Sequence, residues 1–258
     1  MEVRLKKICR LASVLAILMF NTGCALYLSS YYYDSINKMK YICTPSCMDI
    51  IVSCMNEYNI QIIAGTVILL NMYGILGQHD KNVFLLKFGS VKKYKRYINR
   101  KIIIQSLFYS TYFFANVLFF ATRSGYVMLN WSIRDSYFCF VNYAVSDIRL
   151  WTCLLAVYLS LLLNWLLTSE IFFLIYSYTR KKTVSLLIII FVKYWCMKTF
   201  GLCIVPVFKR EYAVSGFLMT NIALYAALAV IIYLINLKTG KNRFIAGQNN
   251  GGLNEHRG

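Results

Sequence analysis

The 258 residues are 59% hydrophobic and 15% charged, with only two prolines; soluble domains carry roughly 25% charged residues. A chain this size cannot hide apolar blocks of roughly 18 to 27 residues in a water-facing core, which excludes an ordinary soluble enzyme or binding domain. The formal charge of +18 would direct a soluble protein to nucleic acid, but in a lipid-embedded chain alternate loops collect basic residues on the cytoplasmic side.

Arg4, Lys6, Lys7 and Arg10 precede the first apolar run, residues 11–29. Its stretch "MFNTGC" touches on a lipoprotein cleavage signal at Cys24, but Asn21 stands where that signal takes a branched or long aliphatic residue, and more apolar blocks follow. The run therefore reads as an uncleaved spanning helix. Tyr31 to Tyr33 mark its far end, at the level where aromatic rings favour lipid headgroups. Cys43, Cys47 and Cys54 share the next loop, and their spacing leaves a disulfide open without implying one.

Further apolar blocks cover 59–76, 102–121, 150–176, 184–208 and 212–237, each able to cross roughly 30 Å of hydrocarbon at about 1.5 Å per residue. Backbone groups in hydrocarbon must be satisfied internally, so each block predicts a helix. Period-two alternation is absent, which argues against a barrel. The expected fold is all-α: a polytopic integral membrane protein of about six spans, one transmembrane domain over 1–243 and a disordered polar tail over 244–258. With the amino terminus inside, 19 Lys and Arg lie in inner segments and seven in outer loops, so both termini are expected in the cytoplasm. The bias accounts for most of the net charge without nucleic acid.

The segment 82–101, "NVFLLKFGSVKKYKRYINRK", has the most pattern. Phe84, Phe88, Val91, Tyr94 and Ile98 recur at the spacing of one helical face, while Lys92, Lys93, Lys95, Arg96 and Arg100 take the rest. It predicts an amphipathic helix along the inner membrane surface, separated from the preceding turn by Gly89 and Ser90. Anionic lipid could hold such a helix at about 1 kcal/mol per basic residue; a docking helix for a cytoplasmic partner is the sharper reading.

Charges inside spans are costly unless paired or wet. Glu170 lies 11 residues before Lys181, and Lys193 lies 12 after it, so an antiparallel helix pair places both at similar depth. They are read as an intramembrane polar pair, or as lining one cavity. Lys198 is expected to snorkel.

The sequence carries no G-x-S-x-G or H-E-x-x-H signature of an enzyme, and no catalytic residue is assigned. His79 and His256 are the two histidines, too few for His-rich metal sites, and no metal site is assigned. Cys43 and Cys47 lack the second pair that a zinc site takes. "TGKN" at 239–242 has a Gly-Lys pair without the rest of a phosphate-binding loop.

The basic "LLKFGSVKKYKRYINRKIIIQSLFYS" entering the third span, then "LLNWLLTSEIFFLIYSYTRKK" and "TVSLLIIIF", resembles permease subunits of the ABC-2 type, especially those of bacteriocin or lantibiotic export and immunity systems. The resemblance runs through residues 60–195. It implies a coupling helix that docks on a separate ATPase and would involve Phe88, Gly89, Lys92, Lys93, Lys95, Arg96 and Arg100. ATP and magnesium would be bound by that partner and no cofactor by this chain. A second permease copy or homologue would complete the pore, in the cell membrane of a bacterium. Rival readings are a stand-alone immunity or accessory protein and, with less to support it, a membrane enzyme.

Overall fold

The computed structural model describes residues 2–56, 59–60, 66–67, 70–72, 90–179, 181–200, 208–215 and 218–238, with side chains for all of these except 2–10, 91, 193–200, 215, 219 and 221. Among them the chain is helical and has no strand. In order come α1 (Glu2–Asn37), α2 (Cys47–Cys54), α3 (Val91–Thr122), α4 (Tyr137–Asn142), α5 (Leu150–Thr179), α6 (Lys182–Phe200), α7 (Arg210–Ser215) and α8 (Leu218–Lys238). The described pieces of the block 59–76 are also helical, while 82–89 and 244–258 lie outside the described residues.

Among the described residues three helices are long and apolar enough to cross a membrane: Leu11–Asn37, Lys92–Thr122 and Leu150–Thr179. Lys182–Val192 and Ile222–Lys238 are shorter apolar helical stretches. No proline interrupts α1, which continues past Asn21 and Gly23 well beyond residue 29, so that Tyr31 to Tyr33 are helical. At about 1.5 Å per residue α1, α3 and α5 are roughly 54, 48 and 45 Å long, all beyond the roughly 30 Å of hydrocarbon.

α5 is the hub: it packs on α3, α6 and α8, while α1 packs on α3 and α2. The buried side of α3, Tyr94, Ile98, Ile102, Tyr109, Phe113, Val117 and Ala121, recurs at steps of four and seven residues, so one stripe faces the bundle. Tyr109 stacks on Trp165 of α5 with ring centroids 6.1 Å apart. Small residues at Ala156 and Ser160 of α5, and at Ala226 and Ala229 of α8, lie among the packed positions. Many large side chains, Leu11, Met19, Phe108, Leu187, Leu224 and Ile231 among them, stay outward, as lipid rather than water would favour.

At one end of the bundle residues 38–56, 123–149 and 208–215 fold over the helices as a cap. Parallel bridges join Thr44 to Ser136 and Ser46 to Val127, and Cys47 and Met48 donate their amides to the carbonyls of Val127 and Met128. Gly125, at φ +75°, allows the turn that brings the second loop back over the first. α3 begins at the opposite end.

Candidate functional site

Ser90 is extended, and its hydroxyl accepts from the amide of Lys93, capping α3. From there α3 runs to Thr122 without a break. The expected helix lying separately along the membrane is therefore, over its described part, the first turns of a membrane-length helix. Lys92, Lys93, Arg96 and Arg100 are exposed and fall within roughly 100° of helix azimuth, a single basic face. Tyr94 and Ile98 are buried on the opposite side. Phe88 and Gly89 lie outside the described residues.

Lys95 differs from its basic neighbours. Only 3% of its surface is exposed, because its azimuth, between those of the buried Ile98 and Asn99, turns it toward α8. Its ammonium donates to the backbone carbonyl of Asn236 at 2.8 Å. The Asn236 amide in turn donates to the carbonyl of Glu170 at 3.0 Å and to its carboxylate Oε2 at 2.5 Å. Glu170 is 1% exposed and Asn236 fully buried. One asparagine near the end of α8 thus holds a buried amine from α3 and a buried carboxyl group from α5.

Glu170 follows Leu150 by 20 residues, roughly 30 Å along α5, and lies level with the start of α3 and the end of α8. The Glu170 and Lys193 pairing lies outside what is described, because only the backbone of Lys193 is. Asn236 belongs to no motif in the sequence, although an amide within "IIYLINLK" is the kind of signal that marks a buried polar contact in a span.

Further along the same interface the buried Ser106 and Tyr109 of α3 and Trp165 and Ser169 of α5 line a crevice with Asn71 and Gln105. The crevice measures about 10 Å³, room for about one water. Asn71 donates to the Gln105 side chain at 3.0 Å.

The cap is organised around Asp49, which is fully buried. Its Oδ2 accepts from the amide and hydroxyl of Ser46 at 2.9 and 2.7 Å, and its Oδ1 from the Trp131 indole at 3.0 Å. Trp131 stacks on Phe138 with centroids 4.2 Å apart. Arg210 donates to the Asp49 carbonyl at 2.9 Å and to Ser53 Oγ at 2.7 Å, and lies over the Tyr137 ring. Burial pushes the Asp49 carboxyl above the ordinary aspartate range, while the Arg210 charge and the hydrogen bonds from Ser46 and Trp131 pull it back. The Trp131 and Arg210 contacts span 82 and 161 residues, which no local pattern announces.

Cys43, Cys47 and Cys54 are free thiols. Burial raises all three, Cys54 to about 12. Tyr32 accepts from the side-chain amides of Asn56 and Asn59 at 2.6 and 3.1 Å, so this ring, expected as a headgroup anchor, also fastens the cap to α1. A cavity of about 210 Å³ opens between Trp131, Ser132, Ser146 and Asp147. Among the described residues no three His, Cys, Asp or Glu gather as a metal site requires.

No family model, curated protein or solved structure matches the chain.

Proposed function

We propose that this chain is the membrane-spanning subunit of an ATP-driven exporter of the ABC type. It would have six spans and both termini in the cytoplasm of a bacterial cell, and act with a separately encoded ATPase and a second permease copy or homologue. Peptide antibiotics or other amphipathic molecules are the substrate class. The observation that carries this reading is the first part of α3: Lys92, Lys93, Arg96 and Arg100 present one exposed basic face, while the reverse side is packed into the bundle. A partner pressing on that face would move a helix of membrane length directly. The test is affinity capture of an ATPase encoded beside this chain. Changing Lys92, Lys93 and Arg96 together to Glu should lower capture at least about tenfold, since charges at an interface rim act strongly on association. Undiminished capture and transport would refute the docking role.

The second reading, a stand-alone immunity or accessory protein, draws on the cap. Tyr41 and Tyr143 expose 87% and 93% of their surface on an ordered frame, a form suited to contacting another protein from that side. Copurification with an ATPase separates the two readings.

A further inference from the structure

The buried face of α3 carries a charge that the docking face does not need. Lys95 is 3% exposed, and an ammonium in such a place is costly unless it is held. What holds it is a backbone carbonyl near the end of α8, and the side chain of that same residue, Asn236, holds Glu170 of α5. Asn236 thereby uses both parts of its structure, carbonyl towards the Lys95 amine and side-chain amide towards the Glu170 carboxyl group. Three helices converge on it: the one bearing the exposed basic face, the hub, and the last described helix. Glu170 Oε1 and Asn236 Oδ1 have no partner among the described residues, so the Glu170 side chain is held there through Oε2 and Asn236.

We propose that Lys95, Asn236 and Glu170 form a positioning tie, with Asn236 as its centre, that makes displacement of the basic start of α3 displace α5 and α8 together. Its role in transport rests on the exporter reading; its existence within the chain does not. Lys95 is accordingly a transmitting residue and not part of the docking surface, and removing it should leave partner capture intact.

The full-length protein in lipid nanodiscs provides the first test. Lys95→Met and Glu170→Gln should each lower the melting temperature by roughly 10 °C, as breaking a buried charged contact does in a chain of this size. The double variant should lose clearly less than the two single shifts combined, because each change removes the group that the other leaves exposed to an uncompensated field. Additive shifts would overturn the tie, as would coupling of Glu170→Gln to Lys193→Met with none to Lys95→Met. Should the single variants fail to accumulate, Lys95→Cys with Asn236→Cys in a background lacking the native cysteines replaces them. A bifunctional thiol linker about as long as a lysine side chain should join the pair, and absence of a cross-link would overturn the geometry.

The second test adds the neighbouring ATPase. Lys95→Met should capture it as the wild type does, yet abolish the ATP-dependent change in maleimide labelling of a Lys238→Cys reporter on α8; an unchanged response would overturn the transmitting role. If the wild-type chain captures no ATPase, the exporter reading falls, and with it the transmitting role, while the melting cycle still decides the tie.

Discussion

Asp49 shows how one residue organises a loop. Its carboxylate gathers three donors, and Trp131→Phe would keep the stack on Phe138 while removing one of them. We expect that change to cost about 1.5–3 kcal/mol, the worth of a hydrogen bond to a charged group, read as a drop in melting temperature. The raised Asp49 carboxyl also sets a sign. The folded state holds its proton at pH values where the unfolded chain has released it, so this group weakens folding as pH rises from the ordinary aspartate range to its raised value. Comparison of wild type with Asp49→Asn should show that contribution to melting temperature growing as pH falls through the window; a difference independent of pH would contradict it. The buried thiols give a third expectation. Cys43, Cys47 and Cys54 should resist maleimide at neutral pH in the folded protein and react on denaturation, since the thiolate is the reacting form and burial suppresses it. Mass spectrometry of cap peptides reads this directly.

Among the elements, α3 tests how far periodicity goes. The three- and four-residue steps of Tyr94 and Ile98 were legible, and both are buried. The position of Lys95 beside them was equally legible as azimuth, but its burial was not, because composition assigns a lysine to water until a partner 141 residues away is known. Segment type was readable in the same way for α1 and α5, where unbroken apolar runs leave no other economical backbone. Their ends were not: α1 continues to Asn37 because Tyr32 and Tyr33 are engaged by the cap rather than released at the lipid boundary. Ser90 is the signal that sets the start of α3. Ser90→Ala should destabilise its first turn by about 1 kcal/mol, visible as faster hydrogen exchange at residues 91–94 with little change beyond residue 105.

For the whole molecule the cap and the basic end of α3 lie at opposite ends of the bundle. The count of basic residues supplies a direction for that axis, and the proposed function depends on it. A cysteine replacing the exposed Tyr41 should react with an impermeant maleimide added outside intact cells, and one replacing Arg96 should react only after the membrane is opened. Labelling of both from one side would contradict the arrangement and, with it, the exporter. The cap itself was the least legible part, since its frame joins segments 80 to 160 residues apart through Asp49, Trp131 and Arg210, and none of these carries a motif.

The uninterrupted course of α1 has a mechanical consequence. A rod roughly 54 Å long moves its tip by about 1 Å for each degree of inclination, so a swing of five degrees carries Tyr32 farther than the 2.6 and 3.1 Å contacts that seat it on Asn56 and Asn59. The cap must travel with the rod or let go of it, and tyrosine 32 is then a gauge that registers, on one side of the bilayer, how steeply the first helix leans.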